Sequence, residues 1–357
     1  MTHVAPLEIR HRSAWEALVG SCPSSGFMQS WRWSEFKALE GYTVTRMGLF
    51  DEDALAGGVI AYTFPTPSPT PSGAGLAVCP DGPVLDWESP EAASHLQALV
   101  RALRSAAAGR RIVAVRLEPR LERLPASLSD LPRGPVDLVP DETLLVPLGP
   151  EAAMLAEMKP KGRYNVRLAA RRGVEVTSST DAADVHEFFR VLEQTARYQD
   201  FRLEPKRFFI NCVQALFPDL GRFAFARYRG MTLAAALTVR HGPTVTFLYG
   251  GHLPLFPQVM ASYALHWHLL REASRDGYRS YDFYGYVAPG RAGHPYDRFS
   301  RFKERFGGRP VRWIGSRDVV FHDRLAEAAL RTIRSMPAEA LGAATSPPAQ
   351  PGRGGPS

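Results

Sequence analysis

Disulfide chemistry is what this chain of 357 residues has least of. It carries three cysteines, Cys22, Cys79 and Cys212, with no CxxC pair. An odd count excludes a full disulfide framework, and no spacing suits zinc. The thiols read as reduced and cytosolic, and no metal is expected. Long apolar runs are missing too. None approaches the roughly 20 residues that a membrane-spanning helix needs. The opening residues bring His3, Glu8, Arg10 and Arg12 early and lack an apolar signal core. No Gly-x-Ser-x-Gly elbow, Walker loop or dinucleotide fingerprint occurs. His266 and His268 straddle Trp267 at i, i+2, on opposite faces of a helix. They cannot share a metal and read as satisfied structural histidines.

What is present begins with a 45% hydrophobic content, enough to build cores in two domains. The formal charge of +7 suits a polyanionic partner, and equally a basic protein that binds no nucleic acid. One run of elements appears twice. Strands are predicted at Thr43–Phe50, Leu55–Phe64 and Gly75–Cys79, then a helix at Pro90–Ala108 and a strand at Arg111–Leu117. Strands at Arg222–Arg229, Leu233–Arg240 and Thr244–Tyr249 precede a helix at Pro257–Asp276 and a strand at Ser280–Phe283. Helices lead into each run, at Ser13–Val19 and Ser30–Glu40, and at Ala182–Tyr198 and Pro205–Phe217. Short turns at Arg229-Gly230 and Gly242-Pro243 suit antiparallel pairing. Helices, an antiparallel meander, a helix and a parallel return strand form the order of an N-acyltransferase fold, here duplicated. Pro65–Ser72 and Pro119–Asp141 read as irregular connections, and Ala343–Ser357 as a disordered tail.

Two blocks carry chemistry. From Lys159 to Arg172 there are six cations and no acid. Pro160 suits a first helical turn and Gly173 a cap, and Arg163, Arg167 and Arg171 fall at i, i+4, i+8. Like charges at that spacing repel. A phosphate backbone would relieve the repulsion, as would acids from elsewhere in the fold. The second block is Phe302-Lys303-Glu304-Arg305-Phe306-Gly307-Gly308, preceded by Tyr281-Asp282-Phe283-Tyr284-Gly285. Taken alone, Lys303 reads as an exposed lysine on an amphipathic helix. Shielded from water, it would suit an oxyanion that appears only in a transition state.

With Gly26-Phe27-Met28-Gln29-Ser30, Trp33 and Lys37, Asp81-Gly82-Pro83-Val84, Lys161–Ala169 and Leu248-Tyr249-Gly250-Gly251, these blocks stand in the order and spacing of a known family. The chain resembles the FemABX non-ribosomal peptidyl transferases over roughly residues 26–335. It is similar to their compact type, without the helical hairpin insertion. The resemblance implies an α/β (α+β) fold of two tandem acetyltransferase-like (GNAT) domains, each a mixed, largely antiparallel sheet flanked by helices. The expected division is 1–148 with 316–340, then 149–315, with 343–357 as tail.

The resemblance further implies transfer of an amino acid from aminoacyl-tRNA to the stem-peptide amine of a UDP-linked or lipid-linked muropeptide. Glycine is the preferred donor residue, from its frequency in such bridges. No cofactor is implied beyond the tRNA co-substrate. A monomer is expected, cytoplasmic, with peripheral attachment to the inner membrane face left open. Lys303 is implied at the oxyanion, with Phe302 placing it. Lys37 is implied at the acceptor diphosphate, near Trp33, with Arg202 as a second phosphate ligand and Tyr249 lining the acceptor channel. Strand packing explains Tyr249 and Asp282 as well as substrate contact does. Lys159, Lys161, Arg163, Arg167 and Arg171 are the tRNA-binding set. Two other readings remain, an acyl-CoA-dependent N-acyltransferase and a non-catalytic tRNA-binding protein. The first lacks the Gly-rich pyrophosphate loop before Pro90 and before Pro257. The second leaves Lys303 and its block unexplained.

Overall fold

The computed structural model describes residues 2–63, 75–107, 112–134, 137–199, 201–288 and 297–321. The expected loop at Pro65–Ser72 and the tail at 343–357 lie outside them. The chain divides into two compact units, Met1–Asp141 with the stretch from Arg312, and Glu142–Val311.

The first unit is a six-stranded sheet in the order β1-β2-β3-β4-β5-β13. Its strands are β1 (Thr2–Pro6), β2 (Thr43–Asp51), β3 (Ala54–Thr63), β4 (Gly75–Pro80), β5 (Ile112–Glu118) and β13 (Arg317–Val320). Every neighbour is antiparallel except β4 and β5, which run parallel. A parallel pair needs a crossover, and helix α3 (Ala92–Ala106) supplies it. Leu96, Leu99 and Leu103 of α3 make one stripe against Val59, Ala61 and Val115. Helices α1 (Arg12–Ser21) and α2 (Trp31–Leu39) cover the other face, with Trp15 beneath Gly58.

The Gly26–Ser30 block has a structural reason in this unit. Strands β3 and β4 pair only at Tyr62–Thr63 with Val78–Ala77. Where the ladder stops, the buried Gln29 amide takes its place. Its Nε2 donates to Ile60 O (3.0 Å) and Pro80 O (2.8 Å), and Oε1 accepts from Ile60 N (2.8 Å). Strand β13 is fastened to β5 by a buried, two-point ion pair between Arg116 and Asp318, at 2.8 and 2.9 Å.

At the end of β5, Glu118 is buried. Its Oε1 accepts from Leu138 N at 2.7 Å, while Oε2 has no partner among the described residues. Burial pushes its carboxyl from the ordinary 4.5 up to about 8. A raised carboxyl pKa means the native state keeps a proton that the unfolded chain gives up. Stability therefore falls as pH climbs from about 4.5 towards 8. Glu118→Gln keeps the neutral shape, so it should raise the melting temperature at pH 7–8, by the equivalent of roughly 2–3 kcal/mol. The gain should vanish near pH 4. A melting temperature that does not respond to pH would show Glu118 ionised in the fold.

The second unit repeats the plan with seven strands, in the order β12-β6-β11-β10-β9-β8-β7. They are β6 (Glu142–Pro147), β7 (Glu175–Ser179), β8 (Gly221–Tyr228), β9 (Met231–His241), β10 (Thr244–His252), β11 (Ser280–Asp282) and β12 (Arg309–Arg312). Helix α8 (Ala261–Arg275) crosses from β10 to the parallel β11. It lies on a floor of alanines, Ala224 and Ala226 of β8 with Ala234 and Ala236 of β9, whose small side chains admit the helix closely. Helices α6 (Val185–Gln199) and α7 (Lys206–Leu216) cover the opposite face, through Phe188, Phe209 and Phe223. Helices α4 (Glu151–Glu157), α5 (Pro160–Arg171) and α9 (Asp297–Lys303) complete the unit.

Two boundaries differ from expectation, since the chain also returns to the first unit at Arg312 and not at 316. Residues 142–147 pair with β11 and so belong to the second unit. An edge strand of six residues carries no periodic signal of which sheet it joins.

Candidate active site

In the first sheet, β4 and β5 pair from Gly75–Ile112 to Pro80–Glu118. In the second, the matching pair β10 and β11 holds only from Thr244–Ser280 to Thr246–Asp282. Beyond it β10 continues along β9 with a register shift between Phe247 and Tyr249, while β11 ends and its chain turns. The shift matters for direction. Phe247 faces His266 of α8, whereas Tyr249 sits edge-on to Phe208 and Phe209 of α7.

The turn after β11 is built by Asp282. This carboxylate is fully buried and accepts from Thr143 Oγ1 and from Tyr284 N (2.8 Å). Asp282 is therefore not presented to a substrate, as the sequence reading allowed, but shapes the loop. It holds Tyr284 and Gly285 with φ of 45° and 53°. For tyrosine that conformation is unusual and marks a constrained site. The carbonyls of both residues point at one group. Lys303 Nζ donates to Tyr284 O at 2.5 Å and to Gly285 O at 2.7 Å.

Lys303 ends α9 and is buried, 7% exposed, not the exposed lysine that its block alone suggested. Phe302 packs at steep ring angles against Tyr263, His266 and Phe306, at 5.0–5.5 Å between ring centres. His266 is enclosed by Phe247, Phe283, Phe302 and Phe306, with Nδ1 at 3.1 Å from Tyr281 Oη. Burial, assisted by Lys303, drives the imidazole down to about 3, so it stays neutral. Burial likewise lowers Lys303 from 10.5 to about 7, opposed by Asp282. The site thus holds an ammonium that titrates near neutrality, aimed by two carbonyls and walled by aromatic rings.

The glycines after Phe306 make this placement possible. Gly307 and Gly308 have φ of 81° and 88°, and a Cβ there would fall 2.7 Å from Glu157 O and 2.5 Å from Leu145 O. Gly162 of α5 similarly lies against the Arg305 carbonyl. The basic helix and the lysine block are thereby packed together. Lys159 pairs with Glu304 at 2.5 Å, and Glu304 also accepts from Tyr286 Oη.

The five expected tRNA-binding cations consequently separate. Lys159 is engaged by Glu304. Arg163 does not share the solvent face with Arg167 and Arg171 but folds back on the carbonyls of Leu155, Ala156 and Met158, at the end of α4. Lys161, Arg167 and Arg171 remain exposed, joined by Arg172, and none has an ion-pair partner among the described residues. Between them stands Tyr164, 57% exposed, with the Arg171 guanidinium 6.0 Å from its ring centre.

Other expected residues sit elsewhere. Trp33 is buried between Phe27 and Phe36 in the first unit, where it builds core. Lys37, expected to be partly exposed, is buried with Nζ 3.9 Å from the centre of the Tyr42 ring. Arg202 is exposed between α6 and α7. Thr143, Tyr286 and Glu304 escaped sequence reading as site residues, because nothing local marks a side chain that supports another. Among the described residues no group of His, Cys, Asp and Glu could hold a metal ion.

A mixed sheet with a parallel return strand, found twice in one chain and opening in the second unit beside a buried cation, defines a fold of the tandem GNAT type. Comparison agrees. The FemAB family model matches residues 12–125, and an acetyltransferase (GNAT) domain model matches residues 160–303. The crystal structure of FemX superposes with a TM-score of 0.80 at 17% identity, over 91% of this chain and 99% of that one. The C-terminal domain of a putative lysylphosphatidylglycerol synthetase from Agrobacterium fabrum gives 0.53 at 15% identity, over 91% and 96%. A tandem GNAT protein from the clavulanic acid biosynthesis pathway gives 0.53 at 12%, over 90% and 98%. No curated protein matches the chain. Over residues 12–125 the chain is thus similar to the FemAB family, and over most of its length it shares the fold of FemX.

Proposed function

We propose that this protein transfers an amino acid from aminoacyl-tRNA to the stem-peptide amine of a peptidoglycan precursor, without a cofactor. The observation that carries the reading is Lys303, a buried ammonium fixed at the mouth of the strand opening. The acceptor amine attacks the ester carbonyl, a tetrahedral oxyanion forms, and the tRNA hydroxyl leaves with a proton. Alignment of the two substrates and a positive group at the oxyanion supply most of what that reaction needs. Lys303 supplies the charge, and the Phe302, Phe306 and Tyr263 rings keep water from screening it.

The loop from β10 to α8 favours this donor over acyl-CoA. At the place where acyl-CoA enzymes of this fold wrap pyrophosphate in glycine-rich backbone, Leu253–Met260 has no glycine, and Pro254 and Pro257 lack N–H donors. The exposed cations of α5 favour a polyanionic donor. Lys37 and Arg202 remain proposed ligands of the acceptor phosphates, Lys37 requiring Tyr42 to yield its ammonium. Among the described residues no helix is long and apolar enough to cross a membrane.

The test is to incubate the protein with mixed charged tRNAs and muropeptide precursors and read mass shifts. An acceptor heavier by an aminoacyl residue, glycine first among the candidates, is expected, and ribonuclease should abolish the shift. Equal transfer from acetyl-CoA without RNA would sink the reading.

A further inference from the structure

Large apolar side chains in contact with solvent are normally scattered. Here four of them converge on one rim of the second unit. Tyr198, at the end of α6, and Leu255 line an open groove of about 410 Å³ with Gln194, Arg197, Leu253 and Pro254. Tyr198 is 64% exposed and Leu255 46%. Next to Leu255, Phe256 packs edge-on against Tyr228 at 5.5 Å yet stays exposed. Met231, also exposed, pairs with Tyr228 across the Arg229-Gly230 turn. The loop is held in this posture at a cost, since Phe256 has φ of 50°, which a phenylalanine seldom adopts. Neither Leu255 nor Phe256 belongs to the catalytic cluster.

The rim is edged by cations. Arg229 lies over the Tyr228 ring at 5.2 Å. Arg197 is 76% exposed, and its ion pair among the described residues is with its helix neighbour Glu193 at 3.3 Å. We propose that the rim formed by Tyr198, Leu255, Phe256 and Met231, edged by Arg197 and Arg229, docks on an anionic lipid surface. Chemistry favours lipid over other partners. A nucleic acid would use Tyr198 and Phe256 for stacking but gains nothing from Leu255 or Met231. A small ligand would need convergent polar groups, and the groove offers few. Protruding aliphatic and aromatic tips with arginines beside them match the layered chemistry of a bilayer, acyl chains below charged headgroups. The proposal stands independently of the transfer reaction.

Sedimentation of the full chain with phosphatidylcholine vesicles, with and without phosphatidylglycerol, tests it. Binding to the anionic vesicles is expected, weaker to the neutral ones. Leu255→Ser with Phe256→Asn, the latter suited to a left-handed backbone, should lower partitioning at least about tenfold while the melting temperature and the far-UV spectrum stay those of the wild type. Arg197→Gln and Arg229→Gln should each cost roughly fivefold on anionic vesicles only. Three outcomes overturn the proposal. The wild type ignores both vesicles. The double variant binds as the wild type does, which would place contact on the basic helix. The wild type self-associates where the double variant is monomeric, which would make the rim an interface between copies.

Discussion

Lys303→Met is expected to lower kcat by roughly 10²–10³, the loss typical of one well-aimed stabilising group. The pH profile should change with it. The acceptor amine reacts unprotonated, so its share rises with pH towards about 10.4. Lys303 works as the ammonium, and its share falls as pH rises through about 7. Below that point kcat/KM should climb with pH. Above it the two trends cancel and the profile flattens. In Lys303→Met the break near 7 should disappear and the rate keep climbing. Stability provides the control. The native state gives up a proton between about 7 and 10.5 that the unfolded chain keeps, so burying the ammonium weighs most heavily below pH 7. Methionine lifts that burden, and the variant should melt at or above the wild type at pH 6. If kcat survives within a few-fold and only the acceptor KM rises, Lys303 binds ground state instead.

How much of this could be read beforehand differs from element to element. The meanders and crossovers were legible because each strand is flanked by turn residues and each helix has a buried stripe. Helix α3 was expected over Pro90–Ala108 and runs Ala92–Ala106. The short strands β1, β6, β7, β12 and β13 were not, since four to six residues hold little periodicity. The Phe302–Gly308 block pointed to Lys303. The carbonyls that aim it were hidden, since backbone direction at Tyr284 is set by the Asp282 carboxylate and by Thr143, 139 residues away in sequence. Spacing also misled. Arg163, Arg167 and Arg171 share a helical face by count, yet the free carbonyls at the end of α4 draw Arg163 away.

That last difference sharpens the prediction for the donor. Reversing Lys161, Arg167, Arg171 and Arg172 to Glu should nearly abolish tRNA binding at low salt. Each phosphate contact contributes roughly 0.7–0.9 to the log–log slope of affinity against salt, so removing four should flatten it by about three. Arg163→Glu should behave differently. It uncaps the carbonyls of Leu155, Ala156 and Met158, so it should cost about 1–2 kcal/mol of stability and leave the slope unchanged. Tyr164→Ala separates stacking from charge. Its exposed ring, flanked by Arg171, can take an unpaired base, and its loss should weaken binding by about 1–3 kcal/mol with no change of slope. Titrations of labelled tRNA at several salt concentrations decide among these. A slope that survives the fourfold reversal would put the RNA on another surface, and a slope lost in Arg163→Glu alone would mean that its guanidinium leaves the α4 carbonyls when RNA arrives.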